Sequence, residues 1–322
     1  DSRVTLDASY YDKETKNQIL NLVIPPTSGY STQAINAGQI SNKGFEATLG
    51  ANLLKSDAGL NWTSTFNYAR NKSRVVSLTP GLTTVVLGTQ RSASVTATVG
   101  HPYGELTGYT FLRDASGNLL TQNGMPIRGP QAVLGNVNPD WVGGWNNEFK
   151  FGRVTASFLL SFHEGGKFFS NTNMMCDQSG MCANTLKGRE VDWNKPGIVV
   201  KGIDRTTQQP NTINVTSEQY FQSLWLINQA YTYDDSYVKL REMRVGYDLP
   251  SRFAQRLNAQ ALNVALVGRN LWTHSNVPNI DPEFTYNTGN AQGLEFAPMP
   301  TTRSFGITFQ VKGPLDKPDF KV

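Results

Sequence analysis

Apolar and polar residues alternate with a period of two in eight stretches of the chain, the pattern of strands that turn one face to an apolar surface and the other to a polar one. Leu60–Arg70 sets Leu60, Trp62, Phe66 and Tyr68 against Asn61, Thr63, Thr65 and Asn67, and Phe45–Leu54 sets Phe45, Ala47, Leu49, Ala51 and Leu53 against Glu46, Thr48 and Asn52. Trp141–Phe151 opposes Trp141, Trp145, Phe149 and Phe151 to Asn146, Glu148 and Lys150, and Val154–Phe162 opposes five apolar residues to Thr155, Ser157 and Ser161. Arg3–Tyr11, Tyr237–Leu249, Leu262–Trp272 and Arg303–Val311 complete the set. Most run to about 9–11 residues, the length of a tilted strand that crosses a bilayer. In Tyr237–Leu249 the phase switches: Val238 and Leu240 are apolar on one parity, Met243, Val245 and Tyr247 on the other, with Arg241 and Glu242 between. A lipid-facing arginine near the bilayer centre costs roughly 2–4 kcal/mol, so a one-residue bulge is expected near Arg241.

The connections alternate in length. Residues 12–44, 71–140, 163–236 and 273–302 are long, 55–59 and 152–153 short, and 250–261 moderate. Outer-membrane barrels have this asymmetry, with short periplasmic turns and long extracellular loops. The expected class is therefore all-β, an antiparallel transmembrane barrel segment whose C-terminus lies in the periplasm. Tyr10, Tyr11, Trp62, Tyr68, Trp141, Phe151, Tyr237, Tyr247 and Phe309 fall near strand ends, where aromatic girdles sit. A soluble β-core also collects aromatics in its strands, and a soluble glycan-binding sandwich stays open as an alternative.

Composition changes this picture little. The 322 residues are 39% hydrophobic and carry a net charge of +4, too mild and too scattered to argue for nucleic acid. No apolar run approaches the 18 or more residues of a membrane helix, and barrel strands leave only a weak hydropathy signal. The chain opens inside a strand, with Val4, Leu6, Ala8 and Tyr10 on one face and no signal peptide ahead of them, and reads as a fragment.

Several motifs in order resemble the SusC/RagA-like TonB-dependent transporters. Ser236-Tyr-Val-Lys-Leu-Arg241, Gly246-Tyr-Asp-Leu-Pro250, Gly268-Arg269-Asn270-Leu271-Trp272 and Asp281-Pro282-Glu283 are similar to that family's C-terminal signature. Asn36–Glu46, Leu60-Asn-Trp62, Gly100-His-Pro-Tyr-Gly104 and Gly135–Asp140 are similar to its earlier strand and loop motifs. The resemblance departs at the end, where the family closes on an aromatic residue but Phe309 is followed by Gln310–Val322, and around Cys176, which matches nothing in the pattern. It implies that residues 1–311 are the C-terminal portion of the barrel, about the last eight strands of a roughly 22-stranded one, and that 312–322 form a tail. Both edges of such a segment would lack neighbours and invite aggregation. The implied function is import of glycans or peptides across the outer membrane, with a SusD-like surface lipoprotein as lid and TonB acting through a plug domain that these residues do not contain. An autonomous eight-stranded barrel is the other membrane reading.

Enzyme chemistry is not expected. His101, His163 and His274 lie far apart, without partners at metal or triad spacing, and there is no phosphate loop, dinucleotide fingerprint or nucleophile elbow. No cofactor or metal is called for. Asp234-Asp235 is expected to be a solvated loop end. Cys176 and Cys182 close a small loop containing Gly180, which suits a disulfide in an exported protein. With Met174, Met175 and Met181 they could instead offer soft ligands to copper. Thr216-Ser-Glu-Gln219 reads as a capping box ahead of a short amphipathic helix bearing Tyr220, Phe221, Leu224, Trp225 and Ile227. That helix either packs on its loop or offers rings to a ligand. Trp193, Tyr220, Phe221 and Trp225 are the candidates for contact with substrate or lid.

Overall fold

The computed structural model describes residues 3–17, 19–23, 27, 29–30, 32–36, 38–189, 197–285, 289 and 292–313. Eight antiparallel strands form one sheet in sequence order: β1 (Val4–Thr15), β2 (Gln39–Leu54), β3 (Leu60–Ser77), β4 (Trp141–Phe151), β5 (Val154–Glu164), β6 (Tyr237–Asp248), β7 (Ala261–Ser275) and β8 (Ser304–Lys312). Each corresponds to one of the eight alternating stretches. The sheet is open, because β1 pairs only with β2 and β8 only with β7. The autonomous-barrel alternative required β8 to meet β1 and does not hold.

Register assigns the faces, since residues directly opposed across an antiparallel pair share a side. Leu6 opposes Leu49, Leu49 opposes Phe66, Phe66 opposes Trp145 and Trp145 opposes Leu160, so one apolar face runs unbroken across the wall. Leu6 is 69% exposed and Phe309 66%. No second sheet covers this face among the described residues, which rules against a sandwich and fits a surface that meets lipid. The opposite face carries a polar lattice: Lys150 and Asp248 lie 3.9 Å apart, Arg269 donates to Glu242 at 2.8 Å, and Arg244 and Asp248 share Asn263 at 2.7 Å each.

Rings form two belts on the apolar face. Phe45, Tyr68, Trp141 and Phe162 follow one another at 6.3, 5.5 and 6.3 Å near one rim, and Trp62, Phe149 and Phe158 at 5.4 and 6.3 Å toward the other. Strand β4 travels about 33 Å between Trp141 and Phe151, which is roughly 25 Å of depth at the usual tilt, the height of a barrel's apolar band. Indole N–H groups facing hydrocarbon need partners. Trp62 donates to Asn147 Oδ1 at 2.9 Å and Trp145 to Ser64 Oγ at 2.8 Å. Two of the rings expected in the girdle are elsewhere. Tyr11 and Tyr237 have the opposite parity and face inward, Tyr11 to donate to Asn71 and Tyr237 to stack on His163 at 4.8 Å.

The bulge lies at Arg241. Leu160 opposes Leu240 and Leu159 opposes Glu242, so Arg241 has no partner on β5. On the other side Leu240 pairs with Trp272 and Glu242 with Arg269, and the slack in β7 is taken up at Asn270, whose φ is 52°. The extra residue keeps Val238 and Leu240 outward before it and Met243, Val245 and Tyr247 outward after it, while Arg241 and Glu242 both turn inward.

A wall with lipid on one side and charges on the other has no core of its own, and the core is built from the long connections instead. They hold a four-stranded sheet (84–90, 93–98, 105–111, 128–136), helix α1 (Asn171–Gln178) and helix α2 (Ser217–Leu224). Val95, Leu106, Phe169, Met174, Phe221, Leu224, Tyr231 and Leu294, drawn from three connections, bury one another. The capping box on α2 is present, with Gln219 N donating to Thr216 Oγ1 at 3.1 Å and Thr216 N to Gln219 Oε1 at 3.0 Å. Cys176 and Cys182 are joined by a disulfide, with their Cα atoms 5.3 Å apart. At the other rim the connections are tight turns at 55–59 and 152–153, and a short helix over Ser251–Arg256 fills the moderate one.

Two measurements follow from the packing. A Cβ at Gly44 would stand 2.2 Å from the Tyr11 ring and 2.7 Å from the Arg70 carbonyl oxygen. Gly44→Val should therefore destabilise the barrel by roughly 1–3 kcal/mol, read as a lower temperature for loss of the folded band on gels, and Tyr11→Ala should restore only part of it. The unreduced protein should yield a peptide spanning Cys176 and Cys182 that is lighter by two hydrogens than its reduced form. Reduction should loosen α1 by about 2 kcal/mol, the closure entropy of so short a loop.

Candidate functional site

The densest cluster of inward charges sits where β5, β6 and the connection after β7 meet. Lys239 and Arg241, two residues apart on one parity, share one patch of the inner face, and the bulge lets Glu242 and Arg244 turn inward beside them. Two cations placed there need counter-charge. It comes from Asp281 and Glu283 in the 273–302 connection. Lys239, 4% exposed, donates to Glu283 Oε2 at 2.7 Å and to Asp281. Arg241 grips both oxygens of the Glu283 carboxylate, through Nη1 at 2.6 Å and through Nη2, and steadies itself on Ser161 Oγ at 2.7 Å. Tyr237 adds a fourth donor to Glu283 at 2.8 Å. Asp281 in turn accepts from Glu283 N at 3.0 Å and from Thr301 at 2.8 Å, so both carboxylates are fixed. Burial works against the charge on Glu283, but the bonds from Arg241 and Lys239 outweigh it and hold its carboxyl down at about 2.

Beside this clasp lies a second pair. Asp235 is 6% exposed, with Oδ1 unpartnered and Oδ2 3.4 Å from His163 Nε2, a contact too poorly aligned to count as a hydrogen bond. Burial, reinforced by the charges of Asp234 and Glu283, pushes the Asp235 carboxyl up to about 8. The neighbouring Asp234 is held at about 2, chiefly by the Ser236 hydroxyl. The expectation of a solvated acidic loop end is thus corrected for Asp235, which is buried against His163 with its N–H donating to the Gly166 carbonyl at 3.2 Å.

The aromatic candidates are split. Phe221 is buried in the loop core and holds α2 down. Tyr220 packs edge-on against Phe221 at 5.0 Å, and the Trp225 ring lies under the Arg91 guanidinium at 4.7 Å. Arg128 covers Tyr109 in the same way at 4.4 Å, and the two pairs line a cavity of about 190 Å3 that also touches Met174 and Leu226. Trp193 lies outside the described residues, as does the tail beyond 313. Among the signature residues, Gly268 leaves room for the Leu271 side chain, Arg269 pairs with Glu242 and Asn270 donates to the Thr302 carbonyl at 3.3 Å. Cys176 and Cys182 are joined to each other and Met174 is in the core, so the soft-ligand alternative keeps only the exposed Met175 and Met181 thioethers. Among the described residues no group of three or more His, Cys, Asp or Glu side chains is placed to hold a metal. The sequence motifs exposed both halves of the clasp but not their pairing. The available signal was that inward charges in a wall strand need a partner, and Asp281 and Glu283 follow closely.

Residues 1–271 match the family profile described as TonB dependent receptor-like, beta-barrel. The chain belongs to that family of outer-membrane receptors and transporters. TonB-dependent receptor P3 of Formosa agariphila is 25% identical over 345 aligned positions covering 97% of this chain and 32% of that protein. TonB-dependent receptor P26 of the same organism is 26% identical, covering 96% and 33%. The chain thus spans about a third of the length of these relatives. Among solved structures, the RagAB peptide transporter superposes with a TM-score of 0.70 at 17% identity, over 96% of this chain and 33% of that one, and the open-open state of the RagAB peptide importer with 0.66. These likenesses show the fold: a segment of a receptor barrel.

The clasp gives this receptor a defined pH response. Glu283 is depressed from 4.5 to about 2, so its contribution is complete above about 4.5 and is lost as pH falls toward 2. Asp235 is raised from 3.8 to about 8, so it stabilises nothing below 3.8 and costs stability progressively as pH rises from there to 8. Protection of the 276–302 connection from hydrogen exchange, relative to the intrinsic rate at each pH, should therefore be greatest in mildly acidic buffer. Asp235→Asn should abolish the loss between pH 5 and 8, and Glu283→Gln should speed exchange at every pH above 4.5.

Proposed function

We propose that this chain is the C-terminal part of the barrel wall of a SusC-like TonB-dependent importer that takes up oligosaccharides or peptides together with a SusD-like surface lipoprotein. The observation that carries the reading is that every long connection leaves the same rim of a wall whose fold matches a peptide transporter, and that three of these connections pack into one cap with a shared core. A lid lipoprotein would have that assembly to rest on. Substrate would meet aromatic and cationic groups there, the Arg91–Trp225 and Arg128–Tyr109 pairs first, since such stacks suit both sugar faces and peptide carboxylates. TonB would act through the plug, driving release into the periplasm, and outer-membrane lipid surrounds the apolar face.

Deleting the full-length gene should abolish growth on the cognate glycan or peptide pool, and loss of TonB should give the same phenotype. A tag on the full-length transporter should bring down a surface lipoprotein. Unchanged uptake, or recovery of the transporter alone from gently solubilised membranes, would reject the assignment. Within the cap, Trp225→Ala should weaken substrate uptake by about 0.5–2 kcal/mol in apparent affinity while leaving the folded band intact, whereas Phe221→Ala should cost about 3–5 kcal/mol of cap stability.

A further inference from the structure

The outer face of β1–β3 changes character above the upper aromatic belt. Tyr10 opposes Phe45, and beyond that level the same parity brings Asp12 opposite Lys43, Phe45 opposite Arg70, Lys43 opposite Lys72, and Ser41 opposite Arg74. Four cations therefore leave the wall on the side that meets lipid, where a transmembrane strand ordinarily carries none. Lys43 is taken by Asp12 at 2.8 Å, and Glu14 is the other acid on this face. Arg70, Lys72 and Arg74 have no ion-pair or hydrogen-bonding side-chain partner among the described residues, and all three are exposed. With Tyr10 and Phe45 as an apolar floor and the 98–102 turn as a far wall, they border a cleft of about 650 Å3.

We propose that this cleft seats the phosphate of a phosphorylated glycolipid in the outer leaflet, with Arg70, Lys72 and Arg74 on the phosphate and Tyr10 and Phe45 against the sugar and acyl root. The proposal rests on the orientation given under Proposed function, with the long connections outside. Height along the wall supports it. Lys72 and Arg74 lie two and four residues beyond Arg70, about 7 and 13 Å along the strand and less along the membrane normal. The headgroup layer on each side of the hydrocarbon is about 5–7 Å deep. The cations therefore stand at headgroup level immediately above rings that mark the edge of the hydrocarbon. A bare phosphate would be satisfied by the cations alone, whereas the exposed rings directly beneath them match an amphipathic lipid. A nucleic acid or an acidic protein would have to approach from within the leaflet.

The test uses the full-length transporter purified from its outer membrane and exchanged into vesicles containing either the native phosphorylated glycolipid or the same lipid dephosphorylated. Retained glycolipid is then counted by mass spectrometry after delipidating washes. The wild type should retain the phosphorylated lipid at least about tenfold better than the dephosphorylated one, and millimolar inorganic phosphate should not displace it. Arg70→Gln/Lys72→Gln/Arg74→Gln should lower retention of the phosphorylated lipid to the dephosphorylated level while the heat-modifiable folded band is unchanged. Equal retention of both lipids, an unchanged triple variant, or displacement by inorganic phosphate would each overturn the lipid seat. If the triple variant does not fold, the comparison of the two lipids on the wild type decides alone. A wild type that fractionates away from the outer membrane would instead count against the proposed function.

Discussion

Everything in this molecule depends on one dielectric asymmetry. A sheet that has hydrocarbon on one side and water on the other must send every charge at hydrocarbon depth inward, because a charge left facing the acyl chains costs several times what a surface ion pair returns. Period-two alternation satisfies that requirement as long as the charges keep to one parity. Where β6 carries Lys239 and Arg241 on one parity and Glu242 and Arg244 on the other, alternation alone fails, and the bulge is the device that lets all four point the same way. The clasp follows from the shared parity of the first two: Lys239 and Arg241 on one inner patch hold Asp281 and Glu283 of a 30-residue connection and fix where that connection runs.

The same asymmetry explains why the buried core lies outside the wall. Hydrophobic burial in water drives the connections to pack on each other, while the wall's apolar residues are spent on lipid. Phe169 from one connection, Leu224 from the same connection's second helix, Val95 from the one before and Leu294 from the one after converge on one cluster. The loops therefore behave as a small folded assembly borne on the rim, with its own disulfide and its own capped helix.

Legibility in the sequence followed the range of the determining interaction. The eight wall strands were readable because each is set by its own alternation, and the Arg241 bulge because its cause is a break in that alternation within six residues. The α2 cap was readable because Thr216 and Gln219 are three residues apart. The four-stranded sheet in the 71–140 connection was not, since Glu105–Phe111 does not alternate and Ala93–Thr98, which sets Ala93, Val95 and Ala97 against Ser94, Thr96 and Thr98, does so over only six residues of small side chains. Tyr11 and Tyr237 were misplaced because position near a strand end says nothing about parity, and parity had already put them inside. Asp235 was misread because the groups around it are remote in sequence, His163 on β5 and the Glu283 carboxylate beyond β7.

A cap whose core is drawn from three connections has a consequence for how the cell surface is read. An antibody or phage protein that docks on such a cap meets residues from distant parts of the sequence side by side, so its epitope is discontinuous. A peptide copied from any single connection would carry the right side chains without the scaffold that presents them. Variation that evades recognition then falls at exposed positions such as Met181 and Met299, 77% and 83% exposed, because a change at Phe169 or Leu224 would disturb three connections at once.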